Sequence, residues 1–106
     1  MDSKLNMADI RAMVDEMGEC TEEPHHHLTS FRIGGKIFAT MPPDFSFLNI
    51  FVDEECREET LGMYPESFEK LWWGKNVVGL KANPEKADRK DIEMLLKKAR
   101  AYKSPA

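Results

Sequence analysis

Three adjacent histidines are the residues whose types most directly suggest chemistry. His25, His26 and His27 follow Cys20 by five to seven positions. Side chains alternate between the two faces of an extended segment, so His25 and His27 could converge on a metal ion with Cys20 or an acidic neighbour. The spacing matches no standard zinc motif. We therefore predict no metal site and interpret the histidines as a solvated or partly packed cluster.

The two cysteines could supply a nucleophile. Cys56 lies near the start of a predicted helix, a position that can activate a thiol. Four glutamates surround it in the sequence, at positions 54, 55, 58 and 59, and their negative charge raises a thiol pKa. We predict a buried, structural Cys56, no disulfide to Cys20 and no catalytic residue or cofactor.

Basic residues beside glycine-containing turns could hold phosphate groups, and a neighbouring tryptophan could stack on a ring. Two adjacent indoles, Trp72 and Trp73, precede one such turn; in a regular strand one would point inward and the other outward. Lysines in such turns are also ordinary hairpin chemistry. The candidate residues for binding nucleic acid or another ligand are Arg32, Lys36, Trp73, Lys75 and Lys81.

Composition limits what such a site can do. The chain has 106 residues, 42% of them hydrophobic, and a formal net charge of −4, which is typical of one domain spanning residues 1–106. The first 60 residues carry five basic and thirteen acidic side chains, and the remaining 46 carry ten and six. A site for a polyanion must therefore be local, and four or five phosphate contacts would give weak, strongly salt-dependent binding.

No stretch of the sequence is long and apolar enough for a membrane span or for the core of a signal peptide. We expect a cytoplasmic monomer with no membrane partner.

Three helices are predicted from apolar residues at three- and four-residue spacing. The first covers residues 5–17 and ends at Gly18, a residue type that closes helices. The second begins at Asp53, a capping carboxylate, and ends near Gly62. The third begins at Asp88, and the basic residues at its carboxyl end are interpreted as complementing the helix dipole, with an addition to a binding surface as the alternative: Lys97, Lys98, Arg100 and Lys103.

Strands are predicted in hairpins. Residues 31–33 and 36–41 flank Gly34 and Gly35, and after two prolines residues 45–52 form a third strand, which completes an antiparallel meander. Residues 71–73 and 77–81 form a second hairpin around the turn at 74–76. Residues 19–24 are predicted as a short edge strand or loop, and Phe68 as part of a short helical piece.

The summed order is α-β-β-β-α-β-β-α. We predict the α+β class, with a mainly antiparallel sheet of about five strands and the helices packed on one face.

Two segments of the sequence resemble a known family. Residues 31–40, FRIGGKIFAT, followed by Leu48, Asn49 and Ile50, look like the core motif of the MmcQ/YjbR family, and the later pieces appear at residues 71–80 and 99–105. The resemblance covers roughly residues 5–105. It implies a CyaY-like fold, a double-wing role in binding double-stranded DNA and no established enzymatic activity.

One position departs from the family pattern. Relatives commonly carry a tryptophan just after the glycine-lysine turn, where this chain has Asn76 and Val77, so a role assigned to that tryptophan does not transfer.

The leading hypothesis is a small cytosolic protein that binds DNA through two hairpin wings. The alternative is a non-catalytic module for a protein or a small anionic or aromatic ligand, and an enzyme ranks third.

Overall fold

The computed structural model describes residues 4–105. Within them the chain forms three helices and six strands: α1 (Met7–Met17), β1 (Cys20–His25), β2 (Leu28–Ile33), β3 (Lys36–Met41), β4 (Leu48–Ile50), α2 (Glu54–Met63), β5 (Phe68–Trp73), β6 (Asn76–Ala82) and α3 (Arg89–Lys103).

The six strands form one antiparallel sheet in the order β1-β2-β3-β4-β6-β5. This confirms the predicted α+β class, the meander β2-β3-β4 and the hairpin β5-β6. The prediction of about five strands was one short. The segment left open as a strand or a loop is β1, which pairs with β2 from Cys20 to His25.

The strand register places one row of apolar side chains across the middle of the sheet. Phe31 lies opposite Ala39, Ala39 opposite Ile50, and Ile50 opposite Leu80, and all four are buried. Directly opposite residues of an antiparallel sheet share a face, so this row belongs to the core side. Helix α3 packs on β2, β3 and β4, and α2 packs on β5 and β6.

Side-chain caps define the starts of two helices. The Asn6 Oδ1 accepts a hydrogen bond from the Asp9 backbone N–H at 2.9 Å, and the Asp9 carboxylate accepts one from the Asn6 N–H at 3.0 Å. This reciprocal pair starts α1 at Met7, two residues after the predicted start. The Asp53 carboxylate accepts from the Cys56 N–H at 2.9 Å, as predicted for α2.

Two local predictions were wrong. The strand predicted over residues 45–52 is limited to Leu48–Ile50, because a turn follows the prolines: the Phe45 N–H donates to the Pro42 carbonyl at 3.0 Å, and Phe45 has φ of 53°. Phe68 is the first residue of β5 and not part of a helix. Its buried side chain lies opposite Ala82 in the sheet.

No helix within residues 4–105 has the length and apolar character needed to cross a membrane.

A glycine controls how closely β4 and β6 approach each other. A Cβ atom added at Gly79 would lie 2.2 Å from the Ile50 carbonyl oxygen and 2.9 Å from the Phe51 Cα. Both are backbone atoms, so they cannot move without displacing β4. By contrast, a Cβ added at Gly62 in α2 meets no atom within 4 Å.

We expect Gly79→Ala to lower the free energy of unfolding by about 3 kcal/mol, the upper end of typical overpacking costs. Gly62→Ala, the matched control, should raise it by about 0.5–1 kcal/mol because alanine favours the helix. Urea denaturation followed by circular dichroism measures both. Equal stability of the two variants would contradict the close approach of β4 and β6.

Candidate functional site

Two hairpin turns lie at the same end of the sheet. Strands β2, β4 and β5 run in one direction and β1, β3 and β6 in the other. The β2-β3 turn at residues 34–35 and the β5-β6 turn at residues 74–75 therefore extend from one end, which we call the wing end. Phe51, directly after β4, lies there between the two hairpins. The carboxyl terminus of α3 also reaches this end, since a Cβ on Gly34 would lie 3.0 Å from Pro105.

The wing end brings together three of the five predicted site residues. Lys36 is the first residue of β3, Trp73 is the last residue of β5, and Lys75 lies in the turn that follows. All three are exposed, with Trp73 at 69%.

The other two predicted residues do not extend from the hairpin tips. Lys81 lies near the opposite end of β6, and its Nζ is 4.6 Å from the centre of the Phe47 ring, so it does not belong to a hairpin tip. Arg32 is close to the β2-β3 turn, but its Nε donates to the Ser30 Oγ at 3.1 Å and lies 3.9 Å from the Glu23 carboxylate. That carboxylate offsets part of the charge of Arg32.

Lys103 is a cation of the wing end that the five candidate residues did not include. Its Nζ lies 5.7 Å from the centre of the Phe51 ring, and that ring is 6.5 Å from Trp73 with an interplanar angle of 69°. From the sequence, the basic residues at the end of α3 either add to a binding surface or complement the helix dipole, and the dipole interpretation is favoured. The place of Lys103 between the two hairpins follows from the docking of α3, which no local pattern encodes.

Both tryptophans are exposed, which corrects the expectation that one would point inward. Trp72 is 58% exposed. The register shifts between Leu71 and Trp72, and such a bulge breaks the regular alternation of side chains. Because β5 is also an edge strand, neither indole is covered by a neighbouring strand on its outer side.

A polar row lies on the face of the sheet opposite the apolar row. It runs Glu23, Ser30, Thr40, Asn49, Lys81 and Glu69, each directly opposite the next. We call this face the open face. At its centre Ser30, Thr40 and Asn49 are buried, although they project away from the core.

Hydrogen bonds satisfy most of the buried part of the polar row. The Ser30 hydroxyl donates to the Glu23 carbonyl at 2.7 Å, and the Asn49 Nδ2 donates to the Thr40 hydroxyl at 3.1 Å. The Asn49 Oδ1 is the exception: among the described residues 4–105 it is the one buried side-chain nitrogen or oxygen without a partner. Leaving such an acceptor unsatisfied costs about 1–3 kcal/mol.

A groove of about 830 Å³ runs over the open face to the wing end. Thr40 and Asn49 contribute polar atoms to it, Phe51, Leu71 and Val78 contribute apolar surface, and both tryptophans line it. Arg32, Lys36 and Lys103 add positive charge. This combination of apolar surface with a few polar and charged groups, at this volume, is typical of a site for a small molecule or for one unit of a larger ligand.

The three histidines border this groove at the turn between β1 and β2. His26 adopts φ of 59° in that turn, and the rings of His25 and His26 lie 4.7 Å apart, edge to face. Across residues 4–105, His, Cys, Asp and Glu side chains form no group of three or more that could hold a metal ion.

Comparison with known proteins gives a family and a fold. No curated protein matches the sequence. The crystal structure of Deinococcus radiodurans protein DR2400, described with the domain DUF419, is similar with a TM-score of 0.77 and 19% identity, over 91% of this chain and 76% of that one. At this identity the similarity shows a shared fold. The YjbR family model matches residues 5–102, nearly the whole chain, so the protein belongs to the YjbR family.

Proposed function

We propose that this protein binds DNA through the wing end of its sheet. The observation that carries the proposal is the common location of the two hairpin turns, which present Lys36 and Lys75 on either side of Lys103. Three cations on separate elements can contact phosphates on both sides of a groove or along one strand. With a net charge of −4, attraction depends on these local groups and not on the overall field.

Exposed aromatic surface supports the same proposal. Trp73 lies beside Lys75 at the tip of one wing and contacts Phe51, which carries Lys103 over its ring. Indole rings stack on unpaired bases with about 1–3 kcal/mol per base, and every unpaired base offers a suitable face. An exposed indole leaves a large apolar ring in contact with water, and an exposed edge strand can pair with the edge of another molecule. A binding role gives a physical reason for Trp73 to occupy such a position.

A second candidate function is binding of a small anionic or aromatic ligand. The groove on the open face favours it, because a packed or flat sheet face would offer no such site.

We infer a binding role and not a catalytic one. Cys56 is buried, and burial is the largest cause that raises the pKa of its thiol; nearby Asp53 and Glu59 add to the effect, while Lys98 and a hydrogen bond with Thr60 oppose it. The negative neighbours considered in the sequence therefore contribute less than desolvation does. A thiol held in its neutral form is a poor nucleophile.

Reversing two wing charges should weaken DNA binding. We expect the double variant Lys36→Glu, Lys75→Glu to bind a short labelled duplex about tenfold or more weakly at low salt, measured by fluorescence anisotropy. For wild type, three phosphate contacts predict a loss of about 40-fold in the binding constant between about 50 and 200 mM salt.

The control carries the same charge change at the other end of the molecule. Lys86→Glu, Lys90→Glu alters two exposed lysines, one in the loop before α3 and one in its first turn, far from the wing end. It should bind DNA nearly as well as wild type. If both double variants lose affinity equally, net charge and not the wing end determines binding. If wild type fails to bind at low salt, the proposal is wrong.

The two thiols should differ in reactivity. Because its pKa is raised, Cys56 in a Cys20→Ser variant should react with a disulfide reagent about tenfold or more slowly in the native protein than after denaturation. The half-buried Cys20, isolated in a Cys56→Ser variant, should react faster than Cys56 under the same conditions. Absorbance of the released thiolate gives both rates. Rapid native reaction of Cys56 would return the thiol to consideration as a nucleophile.

A further inference from the structure

The buried amide of Asn49 points to a specific ligand chemistry. Its side chain is 9% exposed and lines the groove, and its Oδ1 accepts no hydrogen bond. The Nδ2 of the same group is held by Thr40, which fixes the plane of the amide. An acceptor positioned in this way is matched by a ligand that brings an N–H or O–H donor.

Aromatic and apolar groups line the same groove as this acceptor. Phe51 follows Asn49 by two residues and lies at the wing end of the groove, next to Trp73. Leu71 and Val78, from the second hairpin, add aliphatic surface. Because the Trp73 indole is exposed and meets Phe51 edge to face, another planar ring can stack on the indole with its edge toward Phe51. The ligand should therefore carry its donor on a flat, aromatic body.

Positive charge lies at the rim of the groove and not in its floor. Lys36 is exposed, Lys103 is half-buried above Phe51, and within residues 4–105 neither takes part in an ion pair. Arg32, the third cation of the groove, is partly offset by Glu23. An anionic group attached to the aromatic body would thus face Lys36 and Lys103.

We propose that the groove binds a nucleotide, with the base stacked on the exposed Trp73 indole beside Phe51, a base N–H donating to the Asn49 Oδ1, and the phosphate held by Lys36 and Lys103. The Oδ1 is out of contact with solvent, so binding includes a small shift of the side chains that cover it. A groove of about 830 Å³ is ample for one nucleotide.

The nucleotide can have two sources with the same chemistry: a free mononucleotide, or an unpaired nucleotide within a strand. In the second case the inference rests on the proposed function and adds to it, since the wings would hold the backbone while the groove takes one base. Phosphate contacts alone carry no base information, whereas a donor to Asn49 selects bases that present an N–H at that edge.

Calorimetric titration of the purified protein with each of the four mononucleotides tests the proposal. We expect Asn49→Leu to weaken binding of the preferred mononucleotide about tenfold or more, because it removes the acceptor while keeping the size of the side chain. Asn83→Leu, at an exposed asparagine beyond the other end of β6 that does not line the groove, is the matched control and should bind like wild type. Ribose 5-phosphate, which lacks the base, should bind at least about tenfold more weakly than the mononucleotide.

A second variant covers the case in which Asn49→Leu does not fold. Trp73→Ala changes a side chain that is 69% exposed, so it should fold normally and still lose affinity for the mononucleotide about tenfold. Equal affinity of the wild type and a folded groove variant, or equal binding of ribose 5-phosphate and mononucleotide, would overturn the proposal.

Titration with a short single strand distinguishes the two sources. The ligand is a nucleotide within a strand if three results hold together: the strand binds, Asn49→Leu or Trp73→Ala weakens that binding, and mononucleotides do not bind. If neither the strand nor mononucleotides bind through the groove, the proposal is wrong. These results are separate from the wing variants: loss of strand affinity in Lys36→Glu, Lys75→Glu without any effect of Asn49→Leu would leave DNA binding standing and overturn only the nucleotide site.

Discussion

The register of the sheet is the constraint on which the other features depend. It aligns Phe31 with Ala39, Ile50 and Leu80 on the face that the helices cover, and it aligns the polar row on the opposite face. A shift of one residue in the pairing of β4 would move its side chains to the opposite faces of the sheet. Asn49 would then lie in the core and an isoleucine in the groove. The pairing that buries the apolar row therefore also forms the polar floor of the groove. The stability contributed by the apolar row offsets the cost of the unsatisfied Asn49 amide in that floor.

Strand direction and helix docking then bring the candidate site residues together. The antiparallel order places the turns of the two hairpins at one end of the sheet. The close approach of β4 and β6 at Gly79 places Phe51, the residue after β4, between the two hairpins. Each hairpin also shifts register near its tip, between Phe31 and Arg32 in one and between Leu71 and Trp72 in the other. Bulges increase twist and redirect side chains, which here leaves cations and indoles facing outward.

Sequence reasoning identified the three helices, both hairpins at the wing end and the candidate residues Lys36, Trp73 and Lys75, because caps, glycine turns and apolar spacing are local signals. It grouped Lys81 with the hairpin turns, although the predicted strand 77–81 already ends at Lys81, away from the turn. It could not decide whether Lys103 joins the wing end or show that the Asn49 Oδ1 lacks a partner. The position of Lys103 depends on the tertiary packing of α3, and the partners of Asn49 depend on its cross-strand neighbours, which the sequence of one strand does not specify.

The proposed binding surface combines the open face and the wing end. The most direct test is a nuclear magnetic resonance titration of isotopically labelled protein with a short DNA duplex that carries a single-stranded overhang. The account predicts that the largest shifts occur at the Asn49 side-chain amide, the Trp73 indole N–H and the backbone amides of both wing turns, while α1 and α2 keep their signals. Shifts concentrated on α1 or α2, with the Asn49 and Trp73 signals unchanged, would contradict it.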